Sequence, residues 1–361
     1  MSDRPASRRT VLAGVAGTAA SLAGCISTSP QPPGASAATD DGGGGGGSAT
    51  VLKLGGSSTV YPIANRGGSF WNSNPPPSDE EYWGPSEYGI ATNERLADYF
   101  ASKYGFEATG GASPPFRVSV GLSHSGTGLE KVEAGQVDIG NASAPVAAEF
   151  PERSEEELSK FTNHVVGVDA QPIVVSKEIY DAGVTELTGE QVRAIYRGDV
   201  TSWSEIDAYD GPDREIQAIG RSVGSGTDTA FRANLLGSPD ADMSGVDIRR
   251  GQNQQVKATV SRSDNAIAYM ALAFVDQQAA PAISLTFEGT TYTPGENLSD
   301  PGYPLARDLH CYTWEGTSKK EAAFLHMLIS DFGQQNFVAF AGYSKLTDER
   351  QQEELDKLPD Q

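Results

Sequence analysis

Cysteine is almost missing from this chain of 361 residues: only Cys25 and Cys311 occur. That excludes a disulfide framework. Histidine is scarce too, with His124, His164, His310 and His326 scattered along the sequence. No His-Glu-x-x-His pair and no Walker loop is present, so nothing points to a metal, a cofactor or nucleotide hydrolysis. Basic residues are outnumbered, 27 Lys and Arg against 48 Asp and Glu, for a net charge of −21. A phosphodiester backbone needs a basic footprint, so nucleic acid is not a partner. Long hydrophobic runs are also lacking. The apolar stretch Val11 to Gly24 is too short to span a bilayer comfortably.

That stretch has another reading. Ser7-Arg8-Arg9-Thr10-Val11-Leu12 is a twin-arginine pattern, with Val11 where Phe is more usual, and Leu22-Ala23-Gly24-Cys25 resembles a lipobox. Residues 1–24 are therefore expected to be a signal peptide for export of a folded protein, leaving Cys25 as the lipidated N-terminus. Removing them takes away Arg4, Arg8, Arg9 and Asp3, so the mature chain is more acidic still. Residues 25–49 are rich in Ser, Pro, Ala and Gly, with six glycines in a row at Gly42 to Gly47. They bury nothing and read as a flexible tether. Acidity with so few basic residues is the surface style of proteins from very salty environments. Cys311, among apolar neighbours, reads as a buried core residue.

From residue 50 the pattern alternates. Val51-Leu52-Lys53-Leu54, Arg117-Val118-Ser119-Val120, Val137-Asp138-Ile139-Gly140, His164 to Val168, Pro172 to Val175 and Ile216 to Ile219 read as strands. Between them Asn93–Tyr104, Glu152–Lys160, Thr188–Tyr196 and Thr227–Leu236 read as helices, and Ser318–Phe340 supplies two more with Phe324, Met327, Leu328, Phe332, Phe337 and Phe340 as core. Such alternation predicts an α/β protein with mixed, mostly parallel sheets. Phe70 to Gly89 reads as a long irregular surface loop, rich in aromatics, and a candidate contact surface.

The densest signal is a set of Gly/Ser/Thr loops at strand-to-helix junctions. Ser-Gly-Thr occurs at 125–127 and again at 225–227, and Gly55-Gly56-Ser57-Ser58-Thr59 has the same chemistry. Such loops expose N–H groups at a helix N-terminus, where the dipole is positive, and their hydroxyls add donors. Three of them converging make a cage for a small oxyanion. Thr127 with Glu130 has capping-box spacing. Arg221 precedes the second Ser-Gly-Thr and offers a single guanidinium for bidentate contact.

The order of these motifs resembles the phosphate-binding proteins of Pst-type ABC transporters, with a haloarchaeal-like acidity. The pieces that carry the likeness are Gly56 to Pro62, Ser125-Gly126-Thr127-Gly128, Val137 to Gly140, Leu187 to Tyr196 with Trp203, and Arg221 to Thr227. The resemblance implies a two-lobed type II periplasmic-binding-protein fold. Residues 50–168 plus 303–361 would form one lobe and 169–302 the other, joined by a two-strand hinge around a ligand cleft. It implies phosphate contacts from Ser58, Thr59, Val60, Ser125, Gly126, Thr127, Arg221, Ser225, Gly226 and Thr227. It also implies a monomer on the outer face of the cell membrane, working with a permease and an ATPase. One position departs from the pattern. Where the best-known members place an Asp that accepts the proton of phosphate, this chain has Ser143, and Asp228 is the first candidate to take over that role. Binding of sulfate, molybdate or tungstate, an adhesin or sensor role, and hydrolysis of a phosphate ester are the alternatives. For hydrolysis, His124 beside Ser125 is the sole suggestive pair, and nothing obvious orients the imidazole.

Overall fold

The computed structural model describes residues 51–300 and 302–360. The expected leader, Cys25 and the whole tether of residues 25–49 lie outside the described residues.

The described strands are β1 (Val51–Ser57), β2 (Arg117–Ser123), β3 (Ile139–Ala142), β4 (Phe161–Ala170), β5 (Ile173–Val175), β6 (Glu186–Thr188), β7 (Gln217–Arg221), β8 (Ile248–Arg250), β9 (Ala266–Tyr269), β10 (Ala282–Phe287), β11 (Thr290–Tyr292) and β12 (Ala306–Trp314). They form two sheets. The first runs β2-β1-β3-β12-β4; the second runs β11-β10-β5-β9-β7-β8, with β6 beside β10. The chain leaves the first sheet after β4, enters the second at β5, and comes back through β12. At the crossing Ala170 pairs with Ala306, and the Gln171 N–H donates to the Leu305 carbonyl at 2.9 Å. Two adjacent segments therefore connect the sheets, the arrangement of a hinge.

Parallel pairing holds where a helix returns the chain, at β1–β2, β1–β3, β7–β8 and β7–β9, and also at β6–β10. β4, β5 and β12 pair antiparallel with their neighbours, so antiparallel pairing is more frequent than the sequence pattern suggested. The crossing strands run against the units they close.

The first core gathers Leu52, Trp71, Phe100, Phe324, Phe332 and Phe337, among others, beneath the first sheet. The second gathers Ile173, Tyr196, Trp203, Phe231, Tyr269 and Leu285. The rings of Phe231 and Tyr269 stack at 3.8 Å.

The segment from Phe70 to Gly89 is not a loose contact loop. A helix continues through it to Ser73, and Trp83 is fully buried, edge-on to Phe332 at 5.1 Å, with its indole N–H donating to the Glu94 carbonyl. Asn74 organises this region. It sits in left-handed backbone (φ 44°) at the end of that helix, and its Oδ1 accepts from the Ala97 N–H at 2.9 Å, satisfying the first turn of the helix Leu96–Ser102. That is why this helix starts later than its apolar pattern suggested. Of the expected C-terminal core, Phe340 is the exception: it is 67% exposed and lies under the Arg66 guanidinium.

Both sheets present a topological switch point, where neighbouring connections run to opposite sides of one strand and leave a crevice at its carboxyl end. In the first sheet the strand is β1, flanked by β2 and β3; in the second it is β7, flanked by β9 and β8. The Gly/Ser/Thr loops follow those carboxyl ends. Close packing sets their position. A Cβ on Gly56 would lie 2.2 Å from the Asn141 carbonyl oxygen, and one on Gly128 would lie 2.6 Å from the Gly56 Cα. Only glycines let the β1 loop and the helix after β2 sit side by side.

Candidate oxyanion site

The loops meet. Helix Ser125–Glu133 begins at Ser125 itself, with His124 as its N-cap, so Thr127 lies inside the first turn and caps nothing. The Ser125 hydroxyl is used elsewhere. Its Oγ accepts from the Ser143 N–H at 3.1 Å and, across the cleft, from the Gly226 N–H at 3.2 Å. The Ser57 hydroxyl donates to Ser143 Oγ at 2.9 Å and accepts from the Thr59 N–H. Thr59 and Thr227 bring their hydroxyls to 3.1 Å from opposite sides of the cleft. Val60, fully buried, opens the helix Tyr61–Ser73.

Arg221 closes the other flank. Its side chain is buried, and Nη2 donates to Ser58 Oγ at 3.3 Å and to the Gly251 carbonyl at 2.8 Å, while Nη1 donates to Asn253 Oδ1 at 2.6 Å. Burial with no carboxylate in ion-pair contact pushes its pKa down to about 10. Asn253 in turn donates to the hydroxyls of Ser58 and Thr59 at 3.2 Å each.

The structure thus brings Ser58, Thr59, Ser125, Ser143, Arg221, Gly226 and Thr227 into one hydrogen-bonded network. Ser225 is buried beside it, Gly126 lies on its edge, and Thr127 is half-buried on an adjoining cavity. Asp228 does not serve as an open carboxylate. Its Oδ1 accepts from the Tyr269 hydroxyl and from Arg249, and its Oδ2 accepts from Arg232 at 2.7 Å. Both oxygens are engaged by these three partners, so neither is left open toward an anion.

Sequence reasoning missed Arg307, so the expected single guanidinium becomes two. Arg307 sits on β12 at the hinge and is almost fully buried. Its Nη2 donates to Thr59 Oγ1 at 3.3 Å and Thr227 Oγ1 at 3.1 Å, and its Nη1 reaches the carbonyls of Ser143 and Gly226. Nε and Nη2 both grip Asp169 Oδ2, at 3.0 and 2.7 Å. Asn253 was missed as well. No local pattern announces either residue, because each reaches the cleft from a separate element.

Gly220-Arg221-Ser222-Val223-Gly224 has the Gly-x-Ser-x-Gly spelling of a hydrolase nucleophile elbow. The geometry is wrong for it: Ser222 lies in the loop after β7, with no histidine in hydrogen-bond contact among the described residues. His124 has an unpartnered Nδ1, so nothing orients its ring. Cys311 is buried, its thiol pushed up to about 12 by desolvation. Among the described residues no His/Cys/Asp/Glu group could hold a metal ion, and no helix is long and apolar enough to cross a membrane. The arrangement is a set of donors suited to a small tetrahedral anion, with two cations and three hydroxyl-bearing loops drawn from both lobes.

Comparison with known proteins bears on the fold that carries these loops. The phosphate-binding protein PstS of Bacillus subtilis (strain 168) is 28% identical over 238 residues, covering 65% of this chain and 73% of its own length. PstS of Staphylococcus haemolyticus is 24% identical over 252 residues, covering 68% and 77%. Among solved structures, a chain from Clostridium perfringens with bound phosphate matches with a TM-score of 0.60 at 19% identity, over 82% of this chain and all of that one. An ABC-type phosphate transport receptor from Vibrio cholerae matches at 0.55 and 19%, with the same coverage. These likenesses are to the two-lobed fold. A sequence model of the PBP superfamily domain matches residues 90–332, about two thirds of the chain, and the protein belongs to that superfamily.

Proposed function

We propose that this protein captures inorganic phosphate in the cleft and delivers it to the permease of an ABC transporter. It acts as a binding protein, not an enzyme. The observation that carries the reading is the buried network of Ser58, Thr59, Ser125, Ser143 and Thr227 with Arg221, a cation that has no counter-carboxylate among the described residues. A buried unpaired charge is costly, and an oxyanion between the lobes would neutralise it while joining both halves. Such a ligand favours the closed form because only closure brings its two sets of donors together. The PstS relatives bear phosphate in their names, which favours phosphate over sulfate, molybdate or tungstate.

The same reading places the folded part outside the cell as a monomer, held to the membrane by a lipid on Cys25 through the tether of residues 25–49. The two lobes correspond to residues 50–168 plus 303–361 and to residues 169–302. Competition calorimetry with phosphate, sulfate and molybdate tests the specificity. The expected result is one phosphate per chain, with the other two anions failing to displace it at equal concentration. Tighter binding of sulfate or molybdate would refute the assignment, as would turnover of a phosphate ester.

A further inference from the structure

Glu149 is a carboxyl placed at the seam between the lobes, and nothing in the phosphate cage uses it. It ends the short helix Val146–Glu149, which follows β3 in the first lobe. Its carboxyl is deeply buried, and Oε1 has no hydrogen-bond partner. It faces the Gly126 N–H in its own lobe and the Thr229 hydroxyl on helix Gly226–Phe231 of the other. These two donors favour the ionised carboxyl, and the desolvation of the buried group outweighs them.

We propose that Glu149 is a proton-carrying clasp between the lobes, so that shutting the cleft over its anion takes up a proton from solvent. This rests on the reading that the cleft binds phosphate. When the lobes part, the carboxyl meets water and has an ordinary carboxylate affinity for protons. When they close, it is desolvated with Oε1 left unpartnered, and its neutral form is favoured. Burial raises its pKa in the closed form to about 7, from 4.5.

The neighbouring charges divide. Arg307 on β12 favours the ionised form, and Asp228 on the facing helix opposes it. Tyr312 on β12 is held neutral by burial. Glu130, Glu152 and Arg153 share the cavity wall, as does His124. Burial and Arg221 lower the pKa of His124, so its titration acts in the opposite direction. A phosphate ion bound beside Gly126 adds negative charge, which further favours the protonated clasp.

The test compares wild type with Glu149→Gln, an imitation of the neutral acid, by calorimetry with inorganic phosphate. Between about pH 6 and pH 8.5 the wild type should lose about tenfold more affinity than the variant. At about pH 6.5 it should take up about 0.7 more protons per phosphate bound, measured in buffers of different ionisation heat. Phosphate and His124 titrate alike in both proteins and drop out of the comparison. A second readout needs no variant: phosphate added to wild type at the same pH should produce the infrared carbonyl band of a protonated carboxyl. Equal pH dependence in both proteins, or no such band, overturns the clasp and leaves phosphate binding standing. Failure of wild type to bind phosphate at any pH overturns the function itself.

Discussion

Replacing Arg221 with Met tests whether the cleft is built around a missing negative charge. In the ligand-free protein the substitution has two opposing effects. Burial has moved the guanidinium pKa from 12.5 to about 10, which corresponds to about 3 kcal/mol of disfavour for the charge. Removing the charge relieves that. Against it stand the acceptors that lose a donor. The Arg250 carbonyl still accepts from the Ser222 N–H, and Asn253 Oδ1 still accepts from the Ala271 N–H. The Gly251 carbonyl loses its Nη2 donor, at about 1–3 kcal/mol. The two effects nearly cancel, so ligand-free stability should move by no more than about 2 kcal/mol in either direction.

The liganded state should change far more. Two charge-assisted hydrogen bonds to the anion are worth about 1.5–3 kcal/mol each. Losing both weakens phosphate binding by roughly a hundredfold to ten-thousandfold. At a phosphate concentration of about a hundred times the wild-type Kd, wild type gains about 2.7 kcal/mol from the ligand and the variant should gain nearly nothing. Scanning calorimetry with and without phosphate reads both effects. A variant that keeps the wild-type phosphate shift would show that Arg221 does not hold the anion. A ligand-free variant that loses more than about 4 kcal/mol would show that the arginine is a structural cation instead.

Gly226→Ala should leave each lobe folded, since alanine suits a first helical turn. Its Cβ would lie 2.3 Å from Ser125 Oγ and 2.7 Å from Ser143 Oγ, so closure fails, phosphate affinity drops at least about tenfold, and small-angle scattering shows no compaction on adding phosphate. Trp83→Ala should cost about 3–5 kcal/mol in a urea titration, because the segment is core; a cost under about 1 kcal/mol would restore the loose-loop reading. His164 and His310 are buried and His326 is half-buried, and desolvation pushes all three pKa values down to about 4. A folded pKa below the unfolded value means that their contribution is intact above about pH 6.5 and is lost as pH falls toward 4. Acid unfolding should therefore set in across that window, and His164→Gln with His326→Gln should flatten the slope of denaturation midpoint against pH.

The parts of this protein that were legible in the sequence are those encoded locally. Apolar runs gave β1, β2, β4 and β7, and Thr188 with Gln191 forms the capping box that starts the helix Gly189–Arg197. The three Gly/Ser/Thr loops were legible because the tight approach at Gly56, Gly128 and Gly226 demands glycine. What failed depended on partners distant in the chain. Asn74 caps a helix 23 residues away, and Trp83 is buried by Phe332. Asp228 looked available beside Thr227, yet Tyr269, Arg249 and Arg232 engage it. Arg307 reads as one more arginine in Leu305-Ala306-Arg307-Asp308, and only the hinge crossing brings it beside Thr59, 248 positions away.

Matched in pairs, the charges at the cleft explain how an anion site operates inside a protein with a net charge of −21. Arg307 is balanced by Asp169, which lies fully buried behind it and accepts twice from it. Asp228 is more than balanced by Arg232 and Arg249, both partly open to solvent. Arg221 has no such partner among the described residues. With the partly solvent-open surplus at Asp228 set aside, Arg221 leaves the buried cleft about one unmatched positive charge for as long as Glu149 is protonated. Ionising Glu149 would cancel it. The surface acids act on this balance only through solvent, where salt shortens their reach to about 8 Å at physiological strength and about 3 Å at 1 M. The buried pairs are screened far less. Anion affinity is thus decided by the few groups that lose water when the lobes close, and the acidic exterior is free to serve solubility.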